Sequence, residues 1–346
     1  MFGFIKTKKP HKLLLDQKYM VNFFNKRKKD IDKNIEKIIR VEIYPVKKRI
    51  EKDRFHLVVI YEVFYRIKNS EKIIQQKIVC SCAANHDRKK YYKVLKLVYK
   101  KVKNEKDFRV PNPLWYINNL QSMFYKGIKG GNLLNRLNHK KDIEKSVVQL
   151  ANFLAVFHNI KNKRNLKIKE KEFSLKYLDP TNLLDKAPAE REKYKMKSLD
   201  IFKKIKKYEN DIDNFKFRLS HGDMHLENVF FNDYWQRTYV IDFSEACLAS
   251  PAYDLGSFLQ QLSFQPRENI NEKMFSELKK LFLDEYFFKA NYDVREKKEI
   301  TKLINLYQAW TALKSTIWYI GYEEDKFKTI ERLINQAEYF LDKYEE

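Results

Sequence analysis

The residues of this chain that could do chemistry are concentrated between His221 and Asp242. The first part of this segment reads His-Gly-Asp-Met-His-Leu-Glu-Asn and ends at Asn228, and the second reads Val-Ile-Asp-Phe and contains Asp242. Phosphoryl transfer requires a divalent metal ion on the phosphates and a carboxylate near the accepting hydroxyl. Magnesium takes its ligands from carboxylate, amide and water oxygens. Asp223, Asn228 and Asp242 supply these groups, so the segment is typical of a magnesium-phosphate centre.

The spacing of these three residues predicts how local structure brings them together. Asp223 follows a short strand and a glycine that permits a tight turn. Residues 229–231 and 238–242 read as two strands of a hairpin joined by a polar turn. Such a hairpin would return Asp242 to the neighbourhood of Asn228. We therefore expect Asp223 to face the acceptor, while Asn228 and Asp242 share the metal ion.

Two other kinds of metal chemistry can be compared with the same segment. Residues 222–225, Gly-Asp-Met-His, resemble the opening Asp-x-His of two-metal phosphoesterases. These enzymes need further histidine ligands, and no histidine follows His225. A zinc site built from His221, His225 and Glu227 is the second alternative, although no zinc-ligand motif such as His-Glu-x-x-His is present. Both alternatives are less complete than the magnesium-phosphate interpretation.

The net charge of +24 does not by itself identify a partner. A strongly positive protein attracts nucleic acid, anionic membranes or phosphorylated small molecules. Here the lysines are spread over the whole chain and accompany many Ile, Asn, Phe and Tyr residues, which A/T-rich codons encode. No basic stripe stands apart from this background, so we expect no nucleic-acid partner.

Three features favour a soluble cytoplasmic protein with no membrane partner. The start of the chain carries lysines among short apolar runs, unlike a signal peptide. The apolar run at residues 57–61 is too short to cross a bilayer. Cys80, Cys82 and Cys247 make an odd count, which argues against a disulfide framework and for a reducing compartment.

The elements that must position the motif begin with a strand-rich region. β-Branched and aromatic residues at 38–44, 55–65 and 73–79 predict strands, and short polar connections make them antiparallel neighbours. Apolar residues at helical spacing predict a helix over residues 88–102, and residues 114–117 form a further extended stretch. An antiparallel sheet with one helix is therefore expected here.

Helical periodicity dominates the later part of the chain. Residues 143–158 carry a continuous apolar face. From about residue 271 onward the sequence predicts several amphipathic helices, most clearly at 300–320 and 328–343. The chain as a whole is thus predicted to be an α+β protein.

A cluster of glycines separates the two regions. Gly127, Gly130 and Gly131 are three of only seven glycines in the chain. Because glycine readily adopts positive φ, this concentration predicts a bend or a hinge. The cluster marks either a hinge between two domains, residues 1–126 and residues 127–346, or a surface turn between two elements of one domain.

At the motif residues the sequence resembles the aminoglycoside phosphotransferase and choline kinase family. The family pattern His-Gly-Asp-x-His-x-x-Asn is present from His221 to Asn228, Ile-Asp-Phe ends at Phe243, and Pro-x-Tyr-Asp-Leu runs from Pro251 to Leu255. The resemblance implies a bilobal protein-kinase-like fold, with a nucleotide-binding antiparallel-sheet N-lobe and a mainly helical, substrate-binding C-lobe. It also implies a kinase that transfers the γ-phosphate of ATP, with Mg²⁺ as cofactor, to a hydroxyl group of a small molecule.

The resemblance also implies roles for individual residues of the motif. Asp223 corresponds to the catalytic base, and Asn228 and Asp242 correspond to the magnesium ligands. Asp254 corresponds to a helix-start residue that braces the catalytic loop, and His221 to a residue that supports the loop backbone.

Nucleotide contacts are implied in the same way, on the order of the elements. Lys77, on the third predicted strand, is the candidate for the lysine that binds the α- and β-phosphates of ATP. Backbone groups around Tyr125 and Gly127 are expected to hold adenine. His225 lies near the transferred phosphate, where it would either hold charge or make a hydrogen bond within the loop.

Two departures from the family pattern concern the N-lobe. No glycine occurs between Val41 and Val58, so there is no glycine-rich phosphate loop. The helix that follows Lys77 offers no glutamate to pair with it, and Asp87 is the nearby acid. These departures keep open the alternative of a catalytically inactive, kinase-like protein that binds a nucleotide or small molecule.

The acceptor is not specified by the motif. Trp310, Trp318 and Tyr319 in the C-terminal helices are able to hold a sugar ring or a quaternary amine, although core packing is expected for most aromatics. The short acidic run at residues 323–325 is too small to line a pocket for a polycationic aminoglycoside.

Overall fold

The computed structural model describes residues 10–50, 55–84, 88–161, 166, 168–170, 173, 189–209, 212, 217–264, 269–322 and 326–346. Contacts divide the chain into two compact units, Met1–Gly130 and Gly131–Glu346. The glycine cluster therefore contains the junction between the units. The assignment of nucleotide binding to residues 1–126 and of substrate binding to residues 127–346 stays a prediction.

The first unit contains a five-stranded antiparallel sheet in the order β1-β2-β3-β6-β5. Its described helices and strands are α1 (Pro10–Leu14), α2 (Gln17–Ile31), β1 (Ile35–Ile50), β2 (Phe55–Ile67), β3 (Ile73–Ala83), α3 (Arg88–Val102), β4 (Phe108–Arg109), β5 (Pro113–Ile117) and β6 (Ser122–Lys126). The predicted strands and the predicted helix over 88–102 are confirmed.

The core of this unit lies between the sheet and the two N-terminal helices. Alternate residues of β2 are buried, and they pack with Met20 and Phe24 of α2. The hydroxyl of Tyr61 donates to the carbonyl of Leu14 over 2.8 Å, which fixes α1 on the sheet. Sequence analysis missed these two helices because five basic residues obscure the apolar face of α2. The N-cap at Asp16 is the signal that could have found α2.

The second unit is mainly helical. Its described helices and strands are β7 (Gly131–Asn132), α4 (Leu133–Asn138), α5 (Glu144–His158), α6 (Glu192–Lys207), β8 (Arg218–Ser220), β9 (Val229–Asn232), β10 (Arg237–Val240), β11 (Cys247–Ala249), α7 (Ala252–Phe264), α8 (Glu272–Ala290), α9 (Val294–Tyr322) and α10 (Phe327–Glu345). The predicted hairpin is the antiparallel pair β9–β10. The predicted helices over 143–158, 300–320 and 328–343 are confirmed as α5, α9 and α10, and with them the α+β fold class.

Close packing of α7 on α9 depends on Gly256. A Cβ atom at this position would lie 2.8 Å from the carbonyl oxygen of Ile304 and 2.8 Å from the Cβ of Tyr307. Only glycine lets the two helices approach this closely. The start of α7 carries Tyr253 and Asp254, so this packing positions the residues beneath the motif. None of the described helices is long and apolar enough to cross a membrane.

Candidate active site

Asp254 lies directly beneath the motif and is fully buried. Its Oδ2 accepts a hydrogen bond from the backbone N–H of His221 over 2.7 Å, and its Oδ1 accepts one from the N–H of Gly222 over 2.9 Å. Nε2 of His158, at the end of α5, lies 3.0 Å from the same Oδ2. One carboxylate thus fixes two successive amides of the loop and ties them to a helix.

Hydrogen bonding offsets the cost of burying this carboxylate. Burial works to raise the pKa of Asp254, but the hydrogen bond and charge of His158, followed by His221, hold that pKa below its usual value. The group is therefore charged while it braces the loop. Nδ1 of His158 lies 2.7 Å from the hydroxyl of Tyr286. The Asp254 carboxylate is therefore part of a buried hydrogen-bond network that continues through His158 to Tyr286.

Gly222 is the one residue of the loop whose backbone requires glycine. Its φ is +82°, and a Cβ atom there would lie 2.1 Å from the carbonyl oxygen of Glu245. The hydroxyl of Tyr253 donates to the carbonyl of Gly222 over 3.0 Å. Gly222, which directly precedes Asp223, is therefore hydrogen-bonded through both its N–H and its C=O.

His221 connects the loop to the end of the β9–β10 hairpin. It is fully buried, and its Nε2–H donates to the carbonyl of Ile241 over 2.7 Å. Coordination of zinc by this nitrogen would break that bond. In the part of the chain that the structure describes, no group of three or more His, Cys, Asp or Glu side chains is arranged to hold a metal ion. The geometry therefore gives the zinc alternative no support.

Asp223 projects from the loop with 43% of its side chain exposed. Nε2 of His225 lies 3.5 Å from Asp223 Oδ2, and Nδ1 of His225 lies 3.9 Å from Glu227. Burial works to raise the pKa of Asp223. The hydrogen bond and charge of His225 outweigh it, together with the charges of Lys314 and His221, and hold this pKa well below its usual range. Asp223 is thus an accessible carboxylate that stays ionised at neutral pH.

The pKa of His225 shifts in the opposite direction. Burial works to lower it, but the hydrogen bond and charge of Asp223, followed by the charges of Glu227 and Asp242, raise the pKa of His225 above its usual value. A protonated imidazole is therefore favoured at this position. A protonated imidazole has two N–H donors and no acceptor, so it is able to donate a hydrogen bond to a phosphate oxygen.

Asn228 and Asp242 are brought together by the backbone. The N–H of Ile241 donates to the carbonyl of Asn228 over 3.0 Å, and Nδ2 of Asn228 donates to the carbonyl of Asp223 over 2.9 Å. This bond commits the amide nitrogen and leaves the amide oxygen of Asn228 as the atom offered to a ligand. Asp242 adopts φ 58° and ψ 67°, and its Oδ1 accepts from the N–H of Ser244 over 3.3 Å. Amide and carboxylate oxygens, carried here by two segments that this backbone hydrogen bond joins, are ligands that magnesium prefers.

Lys314 lies near the motif, and sequence analysis gave it no role. It lies on α9, and its Nζ donates to the hydroxyl of Tyr253 over 3.3 Å. No spacing rule connects residue 314 with residue 223, because the two meet only through the packing of α9 on α7. The sequence signal is weak, since Lys314 is one of many lysines.

In the first unit, Lys77 lies on β3 as predicted. It is paired across the sheet with Glu62 of β2, and the distance from Lys77 Nζ to Glu62 Oε1 is 4.0 Å. The expectation about Asp87 lies outside the described residues. Within them, the carboxylate that pairs with Lys77 comes from the neighbouring strand and not from α3.

Gly127 lies against the side chain of Lys77. Its N–H donates to the carbonyl of Lys77 over 2.8 Å, and a Cβ atom on Gly127 would lie 2.4 Å from Lys77 Cγ. Tyr125, two residues earlier on β6, is paired with Val79 of β3 and Pro113 of β5. Lys77 and Tyr125 thus lie on adjacent strands of one sheet, and Gly127 follows directly after the second of these strands.

The aromatic residues proposed for substrate binding differ in exposure. Trp310 is only 1% exposed and packs against the rings of Phe173 and Phe202, so it belongs to the core. Trp318, one turn beyond Lys314 on α9, is 39% exposed. The acidic run at residues 323–325 lies outside the described residues.

An antiparallel sheet unit, a mainly helical unit and a braced Asp-Asn-Asp set define the class of kinase-like phosphotransferases. Residues 83–284, more than half of the chain, match the phosphotransferase enzyme family that contains the aminoglycoside phosphotransferases. The chain belongs to this family. No curated protein matches the sequence significantly.

Solved structures of this class share the fold across most of the chain. Choline kinase from Cryptosporidium parvum is 14% identical, with a TM-score of 0.60 over 95% of this chain and 96% of that one. The spectinomycin phosphotransferase APH(9)-Ia, solved with ADP and spectinomycin, is 11% identical, with a TM-score of 0.59 over 95% and 99%. Plasmodium vivax ethanolamine kinase is 15% identical, with a TM-score of 0.56 over 87% and 81%. The predicted protein-kinase-like fold is therefore confirmed.

Proposed function

We propose that this protein is a small-molecule kinase that transfers the γ-phosphate of ATP, with Mg²⁺, to a hydroxyl group. The observation that carries the proposal is the placement of Asp223. This carboxylate is ionised, 43% exposed, and held on a loop whose two preceding amides are fixed by buried Asp254. Such rigid positioning is the main protein contribution that phosphoryl transfer requires.

In the proposed reaction, Asp223 accepts a hydrogen bond from the acceptor hydroxyl and orients its oxygen. A new bond forms between this oxygen and the γ-phosphorus, while the bond from that phosphorus to the β-phosphate bridging oxygen breaks and ADP leaves. The hydroxyl proton passes to Asp223. Because its low pKa makes Asp223 a weak base, proton transfer occurs late, after the oxygen has become more acidic. His225 holds charge on the transferred group.

Asn228 and Asp242 would hold Mg²⁺, which supplies positive charge to the phosphates when it is bound. The bond between Ile241 N–H and Asn228 C=O, which joins the two segments that carry these side chains, supports this assignment. Lys77 would bind the α- and β-phosphates, and backbone groups near Tyr125 and Gly127 would bind adenine. The ADP named in the spectinomycin phosphotransferase structure supports an adenine nucleotide as donor. A cytoplasmic location, where ATP is abundant, completes the proposal.

The test is a screen of hydroxyl compounds for Mg-ATP-dependent phosphorylation, followed by the variant Asp223→Asn. This substitution keeps the shape of the side chain but removes the carboxylate, so kcat should fall by about 10²- to 10⁴-fold. Glu277→Gln, an exposed carboxylate on α8, is the matched control and should leave kcat unchanged.

Two results would separate this function from that of an inactive binding protein. Turnover that persists in Asp223→Asn within about tenfold of the parent would contradict the assigned base. Binding of ATP in a calorimetric titration, without phosphorylation of any acceptor, would favour the kinase-like binding protein instead.

A further inference from the structure

Within the described residues, one lysine of the C-terminal helices lies near the His221–Asn228 motif with no carboxylate at ion-pair distance. Lys314 is partly buried, and its Nζ donates to the hydroxyl of Tyr253. Among the residues that the structure describes, no Asp or Glu oxygen lies within 4.0 Å of this nitrogen. Partly buried cations are usually paired with a carboxylate. Lys314 therefore offers a positive charge that a bound anion would neutralise.

The position of Lys314 relates it to the acceptor side of the motif. Its partner Tyr253 donates to the carbonyl of Gly222, the residue directly before Asp223. The charge of Lys314 also acts on Asp223 and helps to lower its pKa. Lys314 is thus associated with Asp223, the carboxylate proposed to orient the acceptor hydroxyl.

We infer that Lys314 binds an anionic group of the acceptor, so that the substrate is an alcohol carrying a carboxylate or a phosphate a few atoms from the reacting hydroxyl. This inference rests on the proposed kinase function. The same charge would repel an acceptor that carries an amine or quaternary ammonium group near its hydroxyl. Trp318, one turn further along α9 and 39% exposed, offers an apolar surface to the carbon skeleton.

The first experiment compares acceptors that differ only in the anion. Suitable pairs are glycerol and glycerol 3-phosphate, methyl glycerate and glycerate, and galactose and galacturonate, with ethanolamine as a cationic acceptor. We expect a higher kcat/KM for the anionic member of at least one pair than for its neutral counterpart. Preference for neutral or cationic acceptors throughout the panel, with turnover that depends on Asp223, would overturn the inference while leaving the kinase function intact.

The second experiment tests the lysine itself. Lys314→Met should raise KM for the preferred anionic acceptor by about 10- to 100-fold, the range for a hydrogen bond to a charged group. Lys314→Arg should recover part of this loss because it retains the charge. Lys298→Met, an exposed lysine on the same helix, is the control for the general positive charge of the protein and should have no effect.

The nucleotide is the other anion that Lys314 could contact, and the same variants distinguish the two sources. If Lys314→Met raised KM for ATP and left KM for the acceptor unchanged, the lysine would serve the phosphates of the donor, which would overturn the inference. An equal loss for both members of a pair would assign Lys314 a structural role, with the same consequence.

A binding measurement keeps the inference testable apart from turnover. Anion binding to the folded state raises the midpoint of thermal unfolding. At constant ionic strength, glycerate or inorganic phosphate should raise this midpoint in the parent protein and in Lys298→Met, and less in Lys314→Met. Equal shifts in all three proteins would contradict an anion site at Lys314. Absence of Asp223-dependent phosphorylation, with the Lys314-dependent shift present, would instead count against the proposed function alone.

Discussion

The motif loop of the second unit (residues 221–228) and the Lys77 strand of the first unit hold their candidate residues in different ways. Two successive backbone amides at His221 and Gly222 are bound by one fully buried carboxylate, and a tyrosine hydroxyl binds the next carbonyl. Lys77 is instead paired with Glu62 across neighbouring strands, at 4.0 Å and with 37% of the lysine side chain exposed.

The difference is one of energy as well as geometry. Removing one partner of a buried charge pair commonly costs about 3–5 kcal/mol of stability. An exposed pair contributes about 1 kcal/mol or less. Rigid placement is required where bonds form and break, since small displacements there are costly in rate. A lysine that holds phosphates through its charge tolerates more freedom, because an ammonium group acts as a point charge without fixed orientation.

The largest effect is expected from loss of the buried brace. Asp254→Ala leaves the amides of His221 and Gly222 and the imidazole of His158 without their acceptor. Unfolding free energy should fall by about 3–5 kcal/mol, and phosphotransfer should be lost. Urea denaturation and a kinase assay measure the two changes. Glu277→Ala, which removes an exposed carboxylate paired with exposed Lys273 on α8, is the comparison and should cost about 1 kcal/mol or less. Equal losses of stability in the two variants would contradict the proposed difference between buried and exposed carboxylates.

A second variant tests the geometry of the loop without removing a hydrogen bond. Gly222→Ala places a Cβ atom against the backbone carbonyl of Glu245 in a residue with φ of +82°. Because a backbone atom must move, the variant should lose more than about 1 kcal/mol of stability and about 10²-fold in kcat.

Gly131→Ala is the matched control for that variant. The nearest heavy atom to an added Cβ at Gly131 is Arg136 Cγ, at 3.9 Å, which is an ordinary contact. The control should retain both stability and activity. Full activity in Gly222→Ala would show that the loop adjusts to the added atom, and would remove the argument that this turn is rigid.

The same contrast explains which features could be predicted from the sequence. Local spacing of apolar residues was sufficient to predict three elements: the helix over Arg88–Val102, the strand containing Lys77 and the β9–β10 hairpin. Asn228 and Asp242 could be paired because one short hairpin joins them. Local patterns were also sufficient to identify the family.

Contacts between distant segments could not be predicted in this way. Lys314 reaches the loop through Tyr253 only because Gly256 lets α9 approach α7. Glu62 meets Lys77 through strand register, and one residue of slippage would have placed it on the other face of the sheet. Neither partner is marked by a motif, since both residue types are abundant in the chain.

A smaller effect is expected in the first unit. Lys77→Met should raise KM for ATP by more than about tenfold, since it removes a charge-assisted contact to phosphate. Glu62→Gln should raise the same KM by less than about fivefold, because the pair is long and partly exposed. Lys72→Met, an exposed lysine at the start of the same strand region, should leave KM unchanged. A Glu62→Gln defect as large as that of Lys77→Met would show that this pair is as strictly required as the loop contacts.

The smallest effect concerns the pH dependence of stability near Asp223 and His225. The pKa of His225 is raised in the folded protein, so its stabilising contribution is fully present below the unfolded value of about 6.5. That contribution is lost as pH rises through the folded pKa. His225→Gln should therefore destabilise the protein more at pH 6 than at pH 9, by a difference below about 1 kcal/mol because the contact is partly exposed.

The lowered pKa of Asp223 gives the opposite dependence, at acid pH. Its contribution to stability is present above the unfolded value of about 3.9 and is lost as pH falls through the folded pKa.

The prediction for His225 is measured by urea denaturation of the parent and of His225→Gln between pH 5 and pH 9. A cost of His225→Gln that grows with pH would mean that the imidazole is neutral in the folded loop. In that case His225 would serve as a hydrogen-bonding residue of the loop and not as a cation for the transferred phosphate.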